Sequence, residues 1–191
     1  MLLLSKGLSG QYNAARLLSL DEPYENKVFV VDTNGVSIVL DELIERALTM
    51  AEDGKTGAEI KQEIENLNES FLTFIIPKSL DQLVRGGRIS KAAAGLAKVL
   101  KITPILKYNG EIDKEGKART FKKAINDAIN LLMERVDDVK TIDIAYSKTE
   151  QENIDLVKTA IEEHGLKINK FHELSNVITA HTGRHTFALS V

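Results

Sequence analysis

Cysteine is absent from the 191-residue chain. Its absence excludes disulfides, thiolate-bound metal and thiol catalysis, and is compatible with a reducing, cytoplasmic setting. Aromatic residues are few, at 5%, and the formal net charge is −3 with no long basic run. A nucleic-acid surface needs clustered Lys and Arg, so nucleic acid is not an expected partner. No apolar run approaches the roughly 20 residues of a membrane-spanning helix. The opening Met1-Leu2-Leu3-Leu4 is too short for a signal-peptide core and lacks a basic leader. Low-complexity segments and internal repeats are missing too.

What remains is the composition of a soluble globular protein, 43% hydrophobic and 28% charged. The length suits one large domain or two small ones. The most informative stretch runs from residue 73 to residue 110. Residues 71–76 form an apolar, β-branched run that reads as a buried strand, which Pro77 stops. Residues 79–84 read as a short helix capped by Ser79 and closed by Gly86-Gly87, with Arg88 directly after. Ser90 then caps a helix over 91–100, with Lys91 and Lys98 on its outward face and a small, Ala-rich opposite face. Residues 102–108 read as a strand, and Asn109-Gly110 is a hairpin signal.

On the N-terminal side, residues 2–4 resemble the end of a buried strand running into a loop, Ser5-Lys6-Gly7-Leu8-Ser9-Gly10, before a helix over 11–18. Strand, glycine loop and helix is a layout that turns backbone N–H groups toward an anion. A strand over 28–31, a helix over 36–53, a helix from Thr56 or Gly57 and the strand at 71–76 follow. Short apolar strands alternating with amphipathic helices argue for a parallel sheet. The second half reads differently. A weak strand near 111–113, with 117–119 pairing again, precedes a helix over 120–136 whose apolar side includes Met133. A strand over 141–146, a helix over 150–164 and strands over 166–171, 177–180 and 186–191 complete an α+β unit with an antiparallel component. The boundary between the halves is expected near residues 85–90, giving domains 1–87 and 88–191.

Several motifs fail on spacing. Gly54-Lys55-Thr56 lacks the upstream glycine of a phosphate loop and sits between helices. His172-Glu173 has no second histidine at zincin spacing, and His181 and His185 have an intervening glycine and no acidic third ligand. No metal or cofactor is therefore expected. Three positions keep two readings each. Arg88 is either a surface residue after a helix cap or a charge placed at an interdomain cleft to meet an anion. Ser5 is either a loop cap or a hydroxyl donating to an anion, and Ser9 lacks the flanking glycines of a nucleophile elbow. His181, expected in a tight turn between apolar strands, either caps that turn or points into a cleft.

Four segments in order resemble the DegV family of bacterial fatty-acid-binding proteins. Ser5-Lys6-Gly7-Leu8-Ser9-Gly10-Gln11-Tyr12 is similar to a serine-rich loop ending in Leu-Ser-Gly-Thr-Tyr, with Gln11 in place of threonine. Asp32-Thr33-Asn34-Gly35-Val36-Ser37 resembles the next strand end. Residues 80–106 carry Gly86-Gly87-Arg88-Ile89-Ser90. His181-Thr182-Gly183 resembles a His-x-Gly-Pro-Gly turn, with Arg184-His185 where the family has Pro-Gly. Roughly the first 90 residues of the family, including a second carboxylate-holding loop, have no counterpart here.

The resemblance implies an α/β, two-domain DegV-like fold, with a truncated N-terminal parallel α/β domain and a C-terminal α+β domain with a mixed or antiparallel sheet. It implies a carrier rather than an enzyme. Such a carrier holds one long-chain fatty acid, such as palmitate, stearate or oleate, between two domains. It presents the carboxylate to the ATP-binding subunit of a fatty acid kinase, which makes an acyl phosphate. The implied head-group residues are Ser5, His181 and Arg88, with Ser9, Gly10 and Gly183 as secondary candidates. Against this stands an enzyme acting on a small anionic substrate through the same Ser5, Arg88 and His181.

Overall fold

The computed structural model describes residues 1–67, 70–98 and 101–191. The chain divides into two compact units, Met1–Phe71 and Leu72–Val191.

The first unit carries three helices: α1 (Gln11–Leu18), α2 (Ile38–Glu52) and α3 (Gly57–Asn66). Apolar side chains recurring on one face of α2 bury Val39, Leu43 and Ala47 against Val31 and Ile64. A capping box starts α3. The Thr56 hydroxyl accepts from the Glu59 N–H, and the Glu59 carboxylate accepts from the Thr56 N–H at 2.7 Å. The expected strands at 2–4 and 28–31 are reduced to one parallel bridge, Leu2 to Val31. Backbone hydrogen bonds continue on either side of it. Met1 N donates to Phe29 O, Val31 N to Met1 O, and Ser5 N to Gly35 O. Two residues of ladder satisfy too few backbone groups to count as a strand.

The second unit is built on six strands: β1 (Thr73–Pro77), β2 (Thr103–Tyr108), β3 (Ile112–Ala118), β4 (Thr141–Tyr146), β5 (Lys167–Glu173) and β6 (Thr186–Ser190). Their order is β3-β2-β1-β6-β4-β5, and only β4 and β5 run parallel. The hairpin at Asn109-Gly110 forms, with Tyr108 opposite Ile112. The two fragments expected at 111–113 and 117–119 are one strand, and a register shift between Ile105 and Leu106 absorbs the irregularity. Helices α6 (Phe121–Arg135) and α7 (Gln151–Glu163) cover one face. Ile125, Ile129 and Leu132 from α6 and Val157 and Ile161 from α7 bury against Phe74, Ile76, Ile142, Ile144, Phe187 and Leu189. Met133, expected on that apolar side, is 42% exposed.

β1, expected to close the first half, lies third in this sheet, between β2 and β6. All five of its residues are buried, so both of its faces are covered. The division of the chain accordingly precedes β1 and does not fall at residues 85–90. Arg88 lies inside the second unit, between α4 (Asp81–Arg85) and α5 (Lys91–Gly95). Ser79 does not cap α4. Leu80 takes that position, and the Ser79 hydroxyl, one residue earlier, accepts from Asp81 N. Ser90 does cap α5, its oxygen accepting from Ala93 N at 3.1 Å. The helix is shorter than expected and passes into a 3-10 turn at Leu96–Lys98, and residues 99–100 of the expected helix lie outside the described residues.

The largest correction concerns 177–180. These residues belong to the helix α8 (Asn176–Thr182), not to a strand. Val177, Ile178 and Thr179 are β-branched and favour strands by propensity. The Ser175 hydroxyl nevertheless caps the segment by accepting from Ile178 N, and Val177 is 71% exposed. The position between β1 and β4 is taken by β6, which pairs with both.

Candidate functional site

Within the first unit, the segments Ser5–Tyr12 and Asp32–Ser37 are tied together by side chains and backbone. Lys6 Nζ donates to Asp32 Oδ2 at 2.6 Å. Thr33 Oγ1 donates to Leu3 O at 2.6 Å and accepts from Gly35 N at 3.1 Å. The Asp32 carboxylate holds the Lys6 ammonium above its ordinary value, chiefly through that hydrogen bond. Ser5 is fully buried at 0% exposure. Its Oγ accepts from Gly7 N at 3.2 Å, while its carbonyl accepts from Leu8 N and Ser9 N. The loop-cap reading of Ser5 is thus realised in the geometry. Ser9 Oγ accepts from Gln11 N at the start of α1, where Gly10 is the cap residue.

Within the second unit, the structure brings Arg88 and His181 to one glycine. Arg88 Nη1 donates to Gly86 O at 2.5 Å, and its backbone N–H returns to Leu83 O. His181 stands in the last turn of α8, where a basic side chain suits the helix dipole. It is not in a tight turn between two strands. Its imidazole packs on Gly86, with Nδ1 2.8 Å from where a Cβ on that glycine would sit. Gly183 ends α8 at φ +82° and donates to Thr179 O. The Gln82 side chain covers Gly183 at 3.3 Å from its would-be Cβ. Helices α4 and α8 are therefore interlocked by paired small and large residues, Gly86 with His181 and Gly183 with Gln82.

The turn after α8 is held from below. Thr186 Oγ1 donates to Thr182 O at 3.0 Å, and Thr186 N donates to the buried Ser147 Oγ at 2.9 Å. His185, at φ +60°, places Nδ1 3.0 Å from both Thr149 Oγ1 and Glu150 Oε2. Glu150 sits below its ordinary value, through backbone hydrogen bonding first and then the nearby His185, Lys78 and Arg184.

Sequence reasoning missed Lys6, Thr33, Gln82 and Gly86. Lys6 and Thr33 lie in segments that resemble the family but carry no local sign of a partner about 30 positions away. In sequence, Gly86 and Gly87 read together as one helix stop. Among the described residues, the first unit also has an apolar groove of about 440 Å³ lined by Leu2, Val28, Phe29, Ile44, Leu48 and Ile60 among others, and Ser5 does not line it. No group of three or more His, Asp or Glu able to hold a metal is present among the described residues.

The model of the DegV family matches residues 1–191, the whole chain. The protein belongs to the DegV family. A DegV domain-containing protein of Staphylococcus aureus (strain N315) is 30% identical over 193 residues, covering 98% of this chain and 68% of the relative. One of Mycoplasmopsis pulmonis is 33% identical over 197 residues, covering 98% and 65%. Among solved structures, a fatty acid binding DegV family protein of Streptococcus agalactiae is 29% identical with a TM-score of 0.79, covering 99% of this chain and 68% of that one. A DegV family protein of Eubacterium eligens, solved loaded with heptadecanoic acid, is 27% identical with a TM-score of 0.78, covering 98% and 70%. The α/β fold with its six-stranded mixed sheet is the one these DegV structures share.

Proposed function

We propose that this DegV protein is a cytoplasmic carrier that binds one long-chain fatty acid and presents its carboxylate to a separate ATP-binding kinase subunit for acyl-phosphate formation. The observation that carries the first half is the likeness, over 98–99% of this chain and 68% of theirs, to DegV proteins described as fatty-acid-binding, at 27–29% identity. Burying about 14 methylenes supplies up to about 11 kcal/mol at ~0.8 kcal/mol each. The carboxylate then needs partners, since an unpaired buried charge is costly. Ser5 is proposed as a donor to the carboxylate and His181 as a further head-group residue, with Ser9, Gly10 and Gly183 as secondary candidates. Arg88 is proposed to serve the encounter with the kinase subunit. The carrier itself needs no cofactor and no catalytic base. No helix among the described residues is long and apolar enough to cross a membrane.

The test is direct. Organic extraction of the purified protein followed by mass spectrometry is expected to yield a fatty acid, and titration calorimetry is expected to show one site for palmitate, stearate or oleate. No lipid in the extract and no heat with any of the three acids would reject the carrier. Turnover of a small anionic substrate by the lipid-free protein would favour an enzyme instead.

A further inference from the structure

Residue 86 has φ −74° and ψ −12°, a conformation that any L residue adopts without strain. Nothing in the backbone therefore calls for glycine there. Its neighbour Gly87 is the opposite case. It sits at φ +63°, where glycine is favoured, and a Cβ on it would meet nothing within 4 Å. At Gly86 the space a side chain would need is already taken. A Cβ would lie 2.8 Å from His181 Nδ1 and 3.1 Å from Gln82 O. The same residue's carbonyl receives Arg88 Nη1 at 2.5 Å.

We infer that Gly86 is a positioning residue. The missing side chain lets the His181 imidazole seat against α4, and the Gly86 peptide ties that ring to Arg88. The two adjacent glycines then have separate jobs, one conformational and one steric. Moving His181 by a side chain at 86 displaces the ring from whatever it faces, with no change to α8 itself. This inference rests on the proposed role of His181 at a lipid head group for its binding consequence, but not for its structural one.

The test is a double-mutant cycle on the 191-residue chain: Gly86→Ala, His181→Ala and both together. Readouts are palmitate affinity by titration calorimetry, the His181 imidazole resonances by NMR, and thermal melting. Gly86→Ala is expected to shift the His181 resonances and to weaken palmitate on the order of tenfold. In the His181→Ala background the same substitution is expected to change affinity by less than about twofold, because the clash is gone. If Gly86→Ala fails to fold, recovery of a cooperative melt in the double variant supports the steric pairing. A double variant that stays unfolded overturns it and assigns the cost to Gln82 O. Unmoved His181 resonances in Gly86→Ala overturn the inference outright. If His181→Ala leaves palmitate affinity intact, the head-group role of His181 falls, and the resonance shift alone decides whether Gly86 positions the ring.

Discussion

His185 and Glu150 meet at 3.0 Å, joining the turn before β6 to the residue that precedes α7. His185 holds a left-handed backbone at φ +60°, a conformation that costs a β-carbon residue about 1–2 kcal/mol. The contacts of its Nδ1 with Thr149 Oγ1 and Glu150 Oε2 offset that cost. His185→Ala keeps the strain and loses the contacts, so it is expected to destabilise by about 1 kcal/mol. His185→Gly loses the contacts and the strain together, and is expected to be the more stable of the two variants. Urea melts of the three proteins check the ranking. An alanine variant as stable as the glycine variant would mean that the backbone there is not strained.

The capping box of α3 predicts acid sensitivity. Hydrogen bonds from the Thr56 hydroxyl and then its N–H hold the Glu59 carboxyl below its ordinary 4.5. A carboxyl lowered in the folded state contributes stability above its unfolded value, and that contribution is lost as pH falls through the folded value. Asp113 behaves alike, lowered by the Ser90 hydroxyl and then by Lys114 N–H. Stability is therefore expected to fall as pH drops below about 4.5 and to be flat in this respect at neutral pH. In Glu59→Gln part of that acid slope should vanish. Thermal melts of both proteins between acid and neutral pH read the difference, and parallel slopes would contradict it.

Removing the Ser5 hydroxyl tests the lipid head group. Ser5→Ala is expected to weaken palmitate binding by about 1.5–3 kcal/mol, the value of a hydrogen bond to a charged acceptor. The backbone bonds Ser5 N to Gly35 O and Leu8 N to Ser5 O do not use the side chain, so the fold should persist. Calorimetry paired with circular dichroism separates the two effects. An unchanged affinity would leave Ser5 as the loop cap that its bond from Gly7 N already makes it.

Arg88 and His181 share Gly86 but are predicted to separate in function. Arg88 is half-buried, and a cation at a surface acts mainly on encounter with a charged partner, an effect that fades with salt. Arg88→Ala is expected to retain lipid while slowing acyl-phosphate production by the kinase subunit, most strongly at low salt. His181→Ala is expected to lower lipid affinity itself. Lipid retention and acyl-phosphate yield, measured for both variants, decide the matter, and the reverse pattern would exchange the two roles.

Local signals determined much of this protein. Thr120, Ser90 and Thr56 announce helix starts because a capping hydroxyl acts within three residues. Asn109-Gly110 announces its hairpin for the same local reason, and the ordered segments around Ser5, Asp32, Arg88 and His181 announce the DegV family. Tertiary structure alone decided three other matters. It placed β1 between β2 and β6, because strand partners are chosen by packing across more than 100 residues, as in Thr73 with Ser190. It made 176–182 a helix against β propensity, because β6 already fills the sheet position beside β1 and β4. It also gave Gly86 and Gly87 different meanings. Both are the same residue in sequence, and only the arrival of the His181 ring from α8 makes the first one a matter of space.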